Sequence, residues 1–212
     1  MPTLPAITDL LTRYPALAPV EASITAAAET LIQRFRAGGK LLLAGNGGSA
    51  ADCLHIAGEL MKGFNLPRPL PAEAQAALTA LYGAEGARLG GQLQQALPAV
   101  ALPAALALTT AVANDIDPDL IFAQGVLAMG QPGDVLLALS TSGNAANVLA
   151  AVQVARWRGL TTIALTGKTG GKLAPACDLA VIAPGATTAQ IQEYHLPIYH
   201  ALCTAVEAAL FG

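Results

Sequence analysis

The sequence predicts a doubly wound, mostly parallel α/β sheet flanked by helices. Three observations carry this. Short apolar runs of strand length recur along the chain. The clearest of them lead straight into polar, glycine-containing loops, and those loops open segments with helical periodicity. With 212 residues there is material for one such domain with a sizeable core, and the length is marginal for two. We therefore assign 1–212 to a single domain, with an N-terminal helical segment over about 1–38 and a helical insertion over about 65–98.

The first helix of the pattern runs from about Val20 to Ala37, with Ile24, Ala27, Ala28, Leu31, Ile32 and Phe35 on one face. Gly38 and Gly39 stop it. Lys40 to Ala44 reads as a buried strand feeding Gly45-Asn46-Gly47-Gly48-Ser49 and a helix from about Ala50 to Met61. Asp134 to Leu139 is a second strand, feeding Ser140-Thr141-Ser142-Gly143-Asn144 and a helix over Ala145–Arg158. Thr161 to Leu165 is a third and Leu179 to Ile182 a fourth, before a last helix from about Thr188 to Leu210. The proline-rich stretch Asn65–Pro103, with an amphipathic helix between Ala72 and Leu97, is an elaboration read as a flap or oligomer contact without chemistry.

Composition narrows the function classes. Hydrophobic residues make up 54% and charged ones only 12%, more apolar surface than one subunit hides, so a homo-oligomer is expected. A net charge of −3 without a Lys/Arg stripe excludes general nucleic-acid affinity. Met1 to Pro15 lacks the pattern of a secretion signal. The longest apolar run, Ala99–Ala113, is too short for a bilayer and contains Pro103. Three cysteines without paired spacing fit a reducing compartment. A soluble cytoplasmic protein with neither membrane nor nucleic-acid partners is expected.

Ligands of such sheets sit at the carboxyl ends of the strands, where both polar loops fall. Ser140, Thr141 and Ser142 offer hydroxyls at a helix amino end, where free N–H groups favour an anion; the same run reads equally as an ordinary helix cap. Asn46-Gly47-Gly48-Ser49 is a second such loop and matches neither a dinucleotide fingerprint nor a Walker loop. Two short polar loops suit a small phosphorylated ligand. Asn114 and Asp115 add hydroxyl-binding groups or form a turn.

The three histidines are His55, His195 and His200. His55 and Glu59 stand four apart on one helix face. Gln192 and His200, two turns apart on the last helix, can reach one site while His195 leans elsewhere, although Pro197 is expected to kink that helix. Such a set is a candidate for a divalent metal such as zinc, against the alternative that each histidine is a core or interface residue. Carboxylate and imidazole are also the pair an aldose–ketose isomerase needs for proton transfer.

The segments Ala44–Asp52, His55-x-x-x-Glu59, Ala113-Asn114-Asp115, Ser140–Asn144 with Asn147-Val148, Leu165–Lys172 and Ile191-Gln192-Glu193-x-His195-x-x-x-x-His200 occur in order. The series resembles the phosphoheptose (sedoheptulose-7-phosphate) isomerases of the sugar isomerase (SIS) family over nearly the whole chain apart from 65–98. The resemblance implies an SIS-type, flavodoxin-like three-layer sandwich and a homotetramer with active sites at subunit interfaces. It implies conversion of sedoheptulose 7-phosphate to D-glycero-D-manno-heptose 7-phosphate, toward bacterial surface heptose. It implies one Zn2+ per subunit on His55, Glu59, Gln192 and His200, with Glu59 as general base and His200 as general acid. Substrate contacts would come from Asn46, Gly47, Gly48, Ser49, Glu59, Asn114, Asp115, Ser140, Thr141, Ser142 and Gln192. Three departures stand out: Ala145 where the family commonly has serine, Ala189 where it commonly has an acidic residue, and the longer stretch 65–98. The alternatives are an isomerase of a related phosphosugar and a non-catalytic adaptor of the type that associates with the replication initiator. That adaptor type lacks the groups matching Glu59 and His200.

Overall fold

All four expected strands form, and a fifth joins them. The computed structural model describes residues 4–212, so the first three residues of the N-terminal segment lie outside the described residues. The strands are β1 (Leu41–Ala44), β2 (Ala99–Ala101), β3 (Val135–Ser140), β4 (Thr161–Gly167) and β5 (Leu179–Ala183). They pair in the order β2-β1-β3-β4-β5, and every pair is parallel.

Alternation along these strands builds two cores. Leu41, Leu43, Val135, Leu137, Leu139, Ile163 and Leu165 face a layer made by α1 (Pro5–Arg13), α2 (Glu21–Arg36), α3 (Gly48–Leu60) and α9 (Thr188–Phe211). Leu42, Ala44, Leu136, Ala138 and Ala164 face the other layer, from α6 (Ile121–Met129), α7 (Ala146–Trp157) and the short α8 (Leu173–Ala176). β1 and β3 are buried along their whole length, as expected for a sheet covered on both faces. Each fully buried leucine contributes about 1.5–3 kcal/mol of transfer free energy. The sandwich is thus held by ordinary apolar burial.

The insertion differs from the single amphipathic helix expected. α4 (Ala72–Gln92) turns back at Gly83, whose φ of 57° and ψ of −130° no helix accommodates. The two arms form a hairpin, with Gly86 against the backbone of Leu78 and Gly90 against Gln75, where a β-carbon would crowd them. A bridge between Pro69 and Gln94 closes its base. α5 (Leu106–Asp115) follows and carries much of the apolar run after Pro103. Pro197 does not interrupt the last helix: α9 runs through it for 24 residues. Among the described residues no helix is long and apolar enough to cross a membrane.

Candidate active site

Two loops leave the carboxyl edge of the sheet side by side. β1 ends at Ala44, and the chain turns through Gly47, at φ 55°, into α3. β3 ends at Ser140 and turns through Gly143, at φ 66°, into α7. Neither helix has a side-chain cap: the N-cap positions are Gly47 and Ala145. The Ser142 hydroxyl accepts from the N–H of Asn144 inside the turn, so the Ser/Thr run does not cap α7. The first N–H groups of both helices are therefore without intrahelical or side-chain partners, the arrangement that binds anions. Ala145, where the family commonly has serine, stands at that uncapped position. A cavity of about 330 Å³ opens between the loops, lined by Asn46 to Ser49, Ser140 to Ser142, Thr188 and Gln192.

Side chains behind the loops fix their spacing. Asn46 and Asn147 exchange two amide hydrogen bonds, of 2.8 and 3.1 Å, tying one loop to the other helix. Thr166 Oγ1 donates to the Ser140 carbonyl at 2.6 Å. His195, fully buried, lies with Nε2 3.1 Å from the Thr166 carbonyl, and burial lowers its pKa against the pull of that carbonyl. It fastens α9 to the sheet at β4. Gly48 leaves room for Gln192: a β-carbon there would stand 2.5 Å from the amide nitrogen.

Further along α3 and α9 the two remaining histidines meet. His55 Nε2 lies 3.2 Å from Glu59 Oε1 and 3.4 Å from His200 Nε2. Lys62 Nζ donates to the other Glu59 oxygen at 2.8 Å. Behind His55, its Nδ1 lies 3.0 Å from the Tyr199 hydroxyl, which is 3.2 Å from Asp52 Oδ1. Burial by itself would raise the Glu59 carboxyl, but Lys62 and His55 outweigh it and hold it below its ordinary value. His200 is lowered by burial and by the charge of His55, against the opposite pull of Glu59. Burial, followed by the nearby Asp52 carboxylate, raises Tyr199. Burial raises Asp52 itself, against the Tyr199 hydrogen bond.

The donor chemistry of His55, Glu59 and His200 suits zinc. Tetrahedral ligands about 2.0–2.1 Å from the ion stand roughly 3.3 Å apart, and two edges of the trio meet that spacing. The third edge is open: Glu59 and His200 share no hydrogen bond among the described residues, and Lys62 occupies Glu59. No group of three or more His, Cys, Asp or Glu among the described residues is gathered tightly enough to hold an ion as it stands.

Of the expected site residues, Asn46 to Ser49, Ser140 to Ser142 and Gln192 line one cavity, and His55, Glu59 and His200 form one cluster. Gln192 lies on the cavity side without a hydrogen bond to that cluster. Asn114 and Asp115 are not brought to either: they sit exposed at the end of α5, with the Asn114 amide donating to Asp115 at 2.8 Å. Asn147, Asp52 and Tyr199 are the site neighbours that sequence reasoning missed. Asn147 falls inside a recognised segment, and Tyr199 adjoins His200, but their pairings span more than a hundred residues.

Comparison with known proteins identifies the family. One model of the SIS domain matches residues 90–210, and a second SIS-domain model matches residues 6–91. The phosphoheptose isomerase of Rhodospirillum rubrum is 44% identical over 188 residues, covering 89% of this chain and 86% of the relative. That of Trichlorobacter lovleyi is 40% identical over 197 residues, covering 91% and 87%. Among solved structures, phosphoheptose isomerase GmhA from Neisseria gonorrhoeae superposes with a TM-score of 0.74 at 34% identity, covering 95% of this chain and 94% of that one. A phosphoheptose isomerase from Francisella tularensis gives 0.76 at 30% identity, covering 98% and 100%. At these identities and coverages the chain belongs to the SIS domain family and, within it, to the phosphoheptose isomerases.

Proposed function

We propose that the chain converts sedoheptulose 7-phosphate to D-glycero-D-manno-heptose 7-phosphate through an enediol. The observation that carries this is that the cavity at the amino ends of α3 and α7, lined also by Gln192 of α9, lies on the same face of α3 and α9 as the His55–Glu59–His200 cluster. Gln192, beside the cradle, and His200, in the cluster, are eight residues apart on one unbroken helix, about 12 Å along its axis. An extended chain advances roughly 1.2 Å per bond, so an open seven-carbon sugar phosphate reaches roughly 10 Å from phosphorus to C1. The phosphate binds the free N–H groups of α3 and α7 and the hydroxyls of Ser140, Thr141 and Ser142, and C1 and C2 reach Glu59 and His200.

Glu59, ionised at neutral pH, takes the proton from C1 and leaves a cis-enediol. The proton returns to C2 while His200 moves a proton between the two oxygens, which turns the ketose into the aldose. His55, Glu59 and His200 would hold zinc, which when bound would polarise the carbonyl; Gln192, which lines the cradle beside Gly48, would have to swing toward the cluster to serve as a fourth donor. Asn46 and Asn147 keep the loops at their spacing throughout.

The same reading takes 1–212 as one domain in a cytoplasmic homotetramer that supplies surface heptose. Exposed Leu54, next to His55, and exposed Leu106 and Ile116 on and just after α5 support burial against further copies. Asn114 and Asp115, exposed at the end of α5, are then available to a neighbouring copy's site. The adaptor alternative is disfavoured, because Glu59 and His200 are both present and stand in one cluster. Glu59→Gln tests the assignment: turnover should vanish while melting temperature and oligomeric state hold. Normal turnover in that variant removes Glu59 from the base role.

A further inference from the structure

Behind the cluster lies a chain of three groups with a proton count that admits few arrangements. The Tyr199 hydroxyl has one hydrogen and two neighbours, Asp52 Oδ1 at 3.2 Å and His55 Nδ1 at 3.0 Å. Oδ1 of Asp52 only accepts, and its other oxygen is buried with no protein partner among the described residues. If the hydroxyl turned to His55, both Asp52 oxygens would be stranded, and a stranded buried polar atom costs about 1–3 kcal/mol. The hydroxyl therefore donates to Asp52, and the Tyr199 oxygen is left to accept from Nδ1–H of His55. With its Nδ1 proton placed, His55 presents the Nε2 lone pair toward Glu59 Oε1 and His200 Nε2. The Nε2 lone pair and the Glu59 carboxylate, 3.2 Å apart, are then two donors aimed at one point, with His200 Nε2 3.4 Å from the first.

We propose that Asp52 and Tyr199 are positioning residues that fix His55 as the Nδ1–H tautomer and aim its Nε2 at a divalent metal. This rests on the metal reading of His55, Glu59 and His200 given above. Tyr199 is 1% exposed, on the buried side of α9, so it touches the ligand and not the substrate. A ligating imidazole whose other nitrogen donates to an oriented acceptor is more basic and is held in place, and loss of such a partner weakens metal binding about 10–100-fold. A half-buried carboxylate whose Oδ2 is enclosed without a partner gains little for stability alone, which also points to a role in the site.

The test is zinc affinity of the full-length protein, measured by competition with a chromophoric chelator, for the unsubstituted chain, Tyr199→Phe and Asp52→Asn. Tyr199→Phe keeps the ring and removes the oxygen, and a roughly 10–100-fold weaker Kd is expected. Asp52→Asn keeps the shape, and a smaller weakening is expected; it decides the matter if Tyr199→Phe does not fold. A second readout is the nitrogen-coupled proton spectrum of 15N-histidine protein loaded with zinc. It should show a hydrogen-bonded Nδ1–H on His55 that loses its protection from solvent exchange in Tyr199→Phe. Equal zinc affinity in folded Tyr199→Phe, or absence of that Nδ1–H, overturns the positioning role alone. Failure of the unsubstituted chain to bind zinc overturns the metal site itself, and the positioning role with it.

Discussion

Glu207→Gln should destabilise the protein by about 3–5 kcal/mol, the usual cost of breaking a buried ion pair on one side. Glu207 and Arg68 have side chains 1% and 0% exposed, joined by Arg68 Nε donating to the carboxylate at 2.7 Å. The carboxylate also accepts from the backbone N–H groups of Phe64, Asn65 and Leu66, at 2.8, 2.7 and 3.0 Å. Arg68 in turn donates to the Leu60 carbonyl at 2.8 Å, so the pair pins the segment after α3 onto α9. For a chain of this length each kcal/mol moves the melting temperature by about 2–4 °C, giving a fall of roughly 6–20 °C. The double variant Arg68→Met with Glu207→Leu removes both charges but strands three N–H groups, at about 1–3 kcal/mol each, so it should recover only part of the loss. Acid adds a signature. Burial alone would raise the Glu207 carboxyl, but the N–H groups and Arg68 outweigh it and hold it below its ordinary 4.5. Its contribution is therefore present above about pH 4.5 and is lost as pH falls through the folded value. In thermal melts taken from pH 7 into acid, the gap between the parent and Glu207→Gln should narrow as pH falls below about 4.5. A shift under about 2 °C at pH 7, or a gap that widens as the pH falls, would refute the reasoning.

Two further outcomes follow from the site. Gly48→Ala puts a β-carbon 2.5 Å from the Gln192 amide nitrogen, so Gln192 must swing away; stability should change by less than about 1 kcal/mol, since alanine favours the helix, while turnover falls on the order of 100-fold by misplacement. Unchanged turnover in a steady-state assay would remove Gln192 from the site. Ser142→Ala should raise KM several-fold with little change in kcat, because Ser142 lines the cavity and is not part of the cluster; an unaltered KM would mean that the phosphate binds elsewhere.

Much of this architecture was legible locally. β1, β3, β4 and β5 are apolar runs of strand length ending in turn-forming residues, so they were found to within two residues at each end. His55 and Glu59 share a helix face by spacing alone, and both polar loops were legible at strand ends, whereas the sequence left open whether Ser140–Ser142 cap α7, which the structure answers with Ala145 at the N-cap. β2 was missed because Ala99–Ala101 is three residues in a Pro- and Ala-rich run with a single β-branched member, Val100. The hairpin in 72–92 was read as one helix because a lone glycine inside a helical pattern is usually tolerated, and only tertiary packing makes Gly83 a turn. Pro197 was expected to kink α9, yet the helix is continuous through it, with Pro197 and its neighbours Ile198 and Tyr199 all buried. Asp52 with Tyr199, Asn46 with Asn147 and Arg68 with Glu207 are separated by 147, 101 and 139 residues, and no local pattern marks such pairs.

The most direct test of the central claim is turnover of sedoheptulose 7-phosphate by the purified protein, measured as isolated, after chelation and after zinc is restored. Formation of the heptose 7-phosphate that is lost on chelation and regained with zinc is the predicted result. A folded, zinc-loaded protein that leaves sedoheptulose 7-phosphate unchanged would contradict it.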